Sequence, residues 1–133
     1  MGLCREMLLK MAAENAALSG LTVLIIEDEF LIAADVQHIV EEAGAAVALL
    51  ASSISSARQL LAGEQPIDVC ILDLKLGSED GFPLAQEFRE SGMPFVVATG
   101  LEGDLELPGV VVVQKPYDAA QVVDALLRAL AAR

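Results

Sequence analysis

Five polar side chains follow directly after apolar runs in this sequence, and their types suit the chemistry of phosphates and metal ions. Glu27 and Asp28 follow "LTVLII", and Asp73 follows "VCIL". Thr99 ends "PFVVAT", and Lys115 comes just after "VVVVQ". A carboxylate at the end of a buried run costs free energy unless it has a partner or a function. The three carboxylates, the hydroxyl and the ammonium therefore predict a site.

The residue types of this site favour magnesium and phosphoryl transfer. Carboxylate oxygens, completed by a carbonyl and waters, are ligands that Mg²⁺ prefers, and the ion commonly bridges to a phosphate. A carboxylate can also attack a phosphoryl group to give an aspartyl phosphate, a reaction that needs mainly alignment and charge neutralisation. Lys115 supplies a cation for this chemistry, and Thr99 supplies a hydroxyl donor.

The elements that must position these side chains are short apolar strands alternating with amphipathic helices. Strands are predicted at Leu21–Ile26, Ala45–Ala51, "IDVCILDL", "PFVVATG" and Val110–Val113, and helices at Phe30 to Gly44, "SSISSARQLLAG", "GFPLAQEFRESG" and "YDAAQVVDALLRALAAR". Strands of this kind, joined by helical crossovers, form a parallel sheet covered on both faces. A doubly wound α/β fold is expected, with ligands at the carboxyl ends of the strands.

Composition narrows the class of protein further. The 133 residues fit one domain, and 8 basic against 20 acidic side chains give a net charge of −12. Such a charge disfavours nucleic acid and anionic membranes as direct partners. Cys4 and Cys70 lack metal-ligand or redox spacing, and charged residues interrupt the N-terminal stretch, so we expect a reducing cytoplasmic location without targeting or membrane-spanning segments.

These motifs together resemble the receiver domain of two-component response regulators. The matching stretches are "VLIIEDE", "ILDLKLGSEDG", "VATG" and "QKP", each at a predicted strand end. The resemblance covers about Leu21 to Arg133, which makes residues 21–133 the receiver domain and residues 1–20 an N-terminal extension. The amphipathic pattern of this extension is compatible with a helix. The resemblance implies a flavodoxin-like five-stranded parallel sheet of strand order 2-1-3-4-5.

The resemblance implies a role for each residue of the site. Asp73 becomes the phosphoacceptor, Asp28 and Asp73 become direct Mg²⁺ ligands, and Glu27 becomes an outer or water-mediated partner. The backbone carbonyl of Lys75 completes the protein's share of the metal shell.

The remaining implied roles concern the phosphoryl group. Thr99 becomes the switch hydroxyl, and Lys115 becomes the ammonium that pairs with the phosphoryl group. The Lys115–Pro116 peptide bond is expected to be cis.

Two departures from the family pattern bear on how a signal leaves the site. Val112 stands where receivers usually carry an aromatic switch residue. The "GLEGDLELPG" segment leaves little room for an ordinary fourth helix, so we expect a short or irregular one. "PFVVATGL" partly matches the subgroup named for a Phe-Ala-Thr-Gly-apolar-Tyr signature, with Val97 and Glu102 in place of its Phe and Tyr.

The function expected from these residues is that of a single-domain response regulator, phosphorylated on Asp73 by a sensor histidine kinase or a phosphorelay. It switches an unknown downstream protein or acts as a phosphate sink, and a second copy of the chain is also expected among its partners. Its expected chemistry is limited to self-phosphorylation from phosphodonors and slow autodephosphorylation, so it is not classed as an enzyme.

Three other interpretations remain open at this point. Glu27, Asp28 and Glu29 can simply cap the following helix. The chain can be a receiver-like binding module that acts without phosphorylation. An aspartyl-phosphate phosphatase is disfavoured, because Lys75 occupies the position where such enzymes carry a second carboxylate.

Overall fold

The computed structural model describes Arg5 and residues 16–100 and 107–132. The strands are β1 (Thr22–Ile26), β2 (Val47–Ala51), β3 (Val69–Asp73), β4 (Lys75–Leu76), β5 (Glu79–Asp80), β6 (Phe95–Thr99) and β7 (Val111–Gln114). The helices are α1 (Phe30–Glu42), α2 (Ile54–Ala62), α3 (Phe82–Ser91) and α4 (Ala119–Ala131).

Five of the strands form one parallel sheet in the order β2-β1-β3-β6-β7. This is the expected 2-1-3-4-5 order, because the short β4 and β5 pair only with each other. The flavodoxin-like fold is therefore confirmed. The strands β1, β3 and β6 are buried along their whole length, which is why their sequences are continuous apolar runs rather than alternating ones.

Side chains at the helix ends explain where α2 and α4 begin. Ser53 accepts a hydrogen bond from the backbone N–H of Ser56, and Asp118 accepts one from Gln121, each within a reciprocal capping box. In contrast, Glu29 occupies the N-cap of α1 without a side-chain cap hydrogen bond. Its capping role, one alternative for the acidic triplet, is thus not seen in the structure.

Two hydrophobic clusters cover the two faces of the sheet. One joins β1, β3 and β6 to α1 and α4, and the other joins the opposite face to α2 and α3. Leu18, within the predicted extension, is fully buried in the first cluster, and its N–H donates to Ala43 O at 2.9 Å. The core therefore begins before β1.

The loop predicted after Asp73 contains an additional element. β4 and β5 pair antiparallel through Lys75 with Asp80 and Leu76 with Glu79, which forms a small hairpin beside the end of β3. The turn uses Gly77, whose φ of +62° is accessible to glycine at little cost.

Some expectations fall outside the described residues. The extension before residue 16, apart from Arg5, lies there, and so do residues 101–106 of the segment 100–109 in which the short or irregular helix is predicted. Within the described ranges, no helix is both long enough and apolar enough to cross a membrane.

Candidate functional site

The carboxyl edge of the sheet brings the predicted site residues together. In the register of the sheet, Ile26 lies beside Leu72, and Asp73 lies beside Ala98. Glu27 and Asp28 therefore emerge next to Asp73 on one side, and Thr99 emerges on the other. The sequence expectation that these groups converge is met by the strand order.

Three carboxylates form a compact cluster at this edge. One oxygen from each of Glu27, Asp28 and Asp73 lies within 4.8 Å of the other two. Glu27 and Asp73 are only 5% and 8% exposed, whereas Asp28 is open to solvent. The cluster is thus anchored in the protein on one side and accessible on the other.

Lys115 connects two members of this cluster. Its ammonium donates to Glu27 Oε1 at 2.8 Å and to Asp73 Oδ2 at 2.9 Å. Its backbone N–H donates to the carbonyl of Thr99 at 2.8 Å, and the Lys115–Pro116 peptide bond is cis as expected. The chain after β7 is thereby held over the ends of β3 and β6.

The electrostatics of the cluster are dominated by partial burial. Desolvation, together with the neighbouring Asp73, raises the pKa of Glu27 from 4.5 to about 7, although Lys115 opposes this shift. Burial by itself lowers the pKa of Lys115, but hydrogen bonds and attraction to Glu27 and Asp73 raise it overall. Lys115 therefore stays charged, and it pairs with two of the three carboxylates, Glu27 and Asp73.

This donor set fits a magnesium ion. Among the described residues, the buried side-chain oxygen Oε2 of Glu27 has no hydrogen-bond partner. A buried carboxylate oxygen without a partner is costly, and a cation or its water shell satisfies it. The ligands are all oxygens, the cluster has an excess of negative charge, and Asp28 faces solvent, which suits an ion that binds oxygen and keeps several waters.

The hairpin contributes backbone groups to the same site. The N–H of Lys75 donates to Asp73 Oδ1 at 3.0 Å, while its side chain is exposed to solvent. A Cβ added at Gly77 would lie 3.7 Å from Asp28 Oδ2, so the turn passes directly beside the cluster. Sequence reasoning placed Lys75 here but did not anticipate the hairpin.

Tyr117 is a neighbour of the site that the sequence reasoning missed. It is half-buried and lines a cavity of about 10 Å³ together with Glu27, Asp73 and Ala98. The sequence signal that could have indicated this position is that Tyr117 directly follows "QKP", which contains the site residue Lys115. Burial is the main reason that the pKa of Tyr117 is raised, so its phenol is neutral at physiological pH.

Thr99 and Val112 are the positions at which the family resemblance predicts the switch hydroxyl and the aromatic switch residue. Thr99 is buried at the end of β6. Val112, on the neighbouring strand β7, is 39% exposed. A small aliphatic side chain thus stands on the surface where the family pattern has an aromatic ring.

Comparison with known proteins agrees with this geometry. A sequence profile of the response regulator receiver domain matches residues 23–127. The response regulator receiver protein of Sinorhizobium medicae WSM419 is 26% identical, with a TM-score of 0.75 over 85% of this chain and 96% of that one. SdrG from Sphingomonas melonis Fr1 is 32% identical, with a TM-score of 0.68 over 86% and 98% of the two chains.

A longer protein also shares the fold. The response regulator PhyR from Brucella abortus is 26% identical, with a TM-score of 0.72 over 94% of this chain and 54% of PhyR. No curated protein matches the chain at a significant level.

Proposed function

Since this chain belongs to the response regulator receiver domain family, we propose that it is a cytoplasmic response regulator. In this proposal a sensor histidine kinase or a phosphorelay protein donates a phosphoryl group to Asp73, and Mg²⁺ is required. The phosphorylated form switches a protein–protein interaction or serves as a phosphate sink. In this proposal residues 21–133 form the receiver, and residues 1–20 are an extension whose Leu18 packs into the receiver core.

The observation that supports this function best is the arrangement around Asp73. Lys115 holds one carboxylate oxygen at 2.9 Å, and the Lys75 N–H holds the other at 3.0 Å. The carboxylate is therefore oriented before any phosphodonor arrives, and two acidic neighbours lie close enough to share a cation with it. Such alignment and charge neutralisation are what phosphoryl transfer chiefly needs.

The proposed reaction is a substitution at phosphorus. A carboxylate oxygen of Asp73 forms a bond to the phosphorus of the donor's phosphohistidine. The P–N bond breaks, and its electron pair leaves with the donor imidazole. Lys115 is positioned to exchange part of its interaction with Asp73 for one with the transferred group, because its ammonium already lies beside the attacked position.

Glu27, Asp28, Asp73 and the carbonyl of Lys75 are the groups proposed to hold the magnesium ion. A bound Mg²⁺ supplies positive charge against the phosphoryl oxygens during transfer. Within the part of the chain that the structure describes, Lys115 is the only cation that forms salt bridges with this cluster, to Glu27 and Asp73, and it does not balance three carboxylates.

We propose that the signal leaves the site through Thr99. A phosphoryl group at Asp73 provides new acceptors for its hydroxyl, and a local charge change of this kind can reorder an adjoining segment. The segment that follows Thr99 is therefore where a response is expected. The downstream partner is a protein, which the strongly acidic composition makes more suitable than nucleic acid.

One observation favours a second candidate, a receiver-like binding module that acts without phosphorylation. The exposed Val112 stands where the usual aromatic switch residue is missing. If the fold has lost its switch, its surface can still bind a partner constitutively.

A single comparison separates the two candidates. The protein is incubated with Mg²⁺ and beryllofluoride, a phosphoryl mimic, and amide spectra are compared for wild type and Asp73→Asn. The switch predicts spectral changes around Asp73 and Thr99 in wild type only. The absence of any change in both proteins favours the binding module.

A further inference from the structure

The β4–β5 hairpin is packed unusually close to the backbone of Asp73. A Cβ added at Gly81 would lie 2.8 Å from Asp73 O, closer than real Cβ atoms come, and 3.1 Å from Leu74 Cα, which is a tight contact. The N–H of Gly81 also donates to Leu74 O at 2.7 Å. The return strand of the hairpin is therefore fixed against the residue proposed to accept the phosphoryl group.

The free end of the hairpin is held by a different contact. Glu79, in β5, accepts a hydrogen bond at Oε1 from the backbone N–H of Ile54 at 3.2 Å. Ile54 is the first residue of α2, so its N–H has no partner within the helix. A carboxylate at this position is also favoured by the partial positive charge of a helix N-terminus.

This contact connects the hairpin to a stable part of the fold. Ile54 packs against the core cluster that contains Leu76 of β4 and Ala57 of α2. The Ser53 capping box fixes the backbone where Ile54 begins the helix. Glu79 therefore joins a short two-stranded element, which has little stability of its own, to a helix whose start is rigidly defined.

We propose that Glu79 is a positioning residue, which holds the β4–β5 hairpin so that the backbone of residues 75–77 stays in place against Asp73 and Asp28. Its predicted effect on Mg²⁺ binding rests on the function proposed above, whereas its effect on the hairpin does not. The proposal concerns the contact between Glu79 and Ile54, and does not give Glu79 a role as a ligand. Its effect is expressed through the Lys75 N–H, which donates to Asp73, and through Gly77, which passes beside Asp28.

Three variants separate the hydrogen bond of Glu79 from its charge. Glu79→Ala removes both the acceptor and the charge. Glu79→Gln retains an oxygen that can accept from the Ile54 N–H but removes the charge. Glu64→Ala removes an exposed carboxylate that makes no hydrogen bond to a described residue and serves as the control for lost charge.

The first measurement is amide hydrogen exchange at Lys75, Leu76 and Gly77 in metal-free protein, with thermal stability measured in parallel. We expect faster exchange in Glu79→Ala alone, by about two- to tenfold, the range expected for one hydrogen bond. The Tm of Glu79→Ala should fall by no more than about 2–8 °C, the shift expected for the loss of one hydrogen bond, while Glu79→Gln and Glu64→Ala should keep the wild-type Tm. Unchanged exchange in Glu79→Ala, or equal acceleration in Glu79→Gln, would overturn the proposal.

The second measurement is Mg²⁺ affinity. Glu79→Ala is expected to bind Mg²⁺ about two- to tenfold more weakly than wild type, and Glu79→Gln to bind it like Glu64→Ala. Equal weakening in Glu79→Ala and Glu79→Gln would show a charge effect and overturn the positioning role. If wild type binds no Mg²⁺, the proposed function fails, while the exchange rates still decide whether Glu79 holds the hairpin.

Discussion

Lys115 donates a hydrogen bond to Asp73 across an intervening strand, with 2.9 Å between Nζ and Oδ2. Asp73 ends β3 and Lys115 follows β7, and β6 lies between these strands in the sheet. The contact joins residues 42 positions apart in the sequence. It therefore exists only in the folded sheet, and it makes the stability of the protein depend on the charges of the site.

Replacing Lys115 by methionine is expected to destabilise the protein when no metal is bound. The substitution leaves the buried carboxylates of Glu27 and Asp73 without their cation, and removing one partner of a buried ion pair costs about 3 kcal/mol. Urea unfolding in EDTA at pH 8 measures this loss. Arg128→Met, which breaks an exposed ion pair with Asp124, is the control and should cost less than about 1 kcal/mol. Equal effects of the two substitutions would contradict the importance of the Lys115 contacts.

Asp28→Asn is expected to have opposite effects with and without magnesium. In EDTA the variant should be more stable than wild type by up to about 1 kcal/mol, because one of three close carboxylates loses its charge. Added Mg²⁺ should raise the Tm of wild type, since a ligand that binds the folded state stabilises it, and should leave the variant unaffected. Glu41→Gln is the control, because it removes an exposed charge from α1, the helix that follows Asp28. This variant should respond to Mg²⁺ like wild type. A normal Mg²⁺ response in Asp28→Asn would exclude that residue as a ligand.

The raised pKa of Glu27 predicts how stability and magnesium binding change with pH. In the metal-free protein the folded state binds this proton more tightly than the unfolded state does, because the pKa rises from 4.5 to about 7 on folding. Stability therefore falls as pH rises through this interval, relative to Glu27→Gln.

Magnesium binding should show the opposite trend, because the ion competes with the proton on Glu27. Calorimetric titration of wild type should give tighter binding at pH 8 than at pH 6 and should show proton release near pH 7. The Glu27→Gln variant should show no proton release. Identical proton release by wild type and Glu27→Gln would mean that another group is responsible.

Gly81→Ala is expected to disturb the site through the backbone alone. Its methyl group would overlap the carbonyl of Asp73 at 2.8 Å, so the hairpin or the end of β3 must shift. We expect a loss of about 1–3 kcal/mol in unfolding free energy, the range for overpacking, together with weaker Mg²⁺ binding. Gly63→Ala is the matched control, because its added methyl group comes no closer than 3.4 Å to another atom. If Gly81→Ala were as stable as wild type, a Cβ at position 81 would fit beside the Asp73 carbonyl without a shift of the backbone.

The main site could be predicted from sequence because each of its residues ends an apolar run. Asp73 and Thr99 finish buried parallel strands, and in a parallel sheet such ends share one edge. The order of the strands came from the family resemblance, since apolar runs alone do not specify which strands are neighbours.

The parts that sequence did not predict depend on short elements or on tertiary contacts. The two-residue strands β4 and β5 are too short to show a periodic pattern. The contact between Glu79 and Ile54 joins residues 25 positions apart and has no local signature. Leu18 falls in the predicted extension because the family resemblance begins at about Leu21, yet it lies in the core.

Phosphoryl transfer to Asp73 is the central claim, and intact-protein mass spectrometry tests it most directly. Wild type and Asp73→Asn are incubated with acetyl phosphate in Mg²⁺ or in EDTA, and hydroxylamine, which cleaves acyl phosphates, is then added. We predict that wild type in Mg²⁺ gains the mass of one phosphoryl group and loses it with hydroxylamine, while Asp73→Asn and the EDTA samples remain unmodified. Equal modification of Asp73→Asn, or none of wild type in Mg²⁺, would contradict the assignment of Asp73 as the phosphoacceptor.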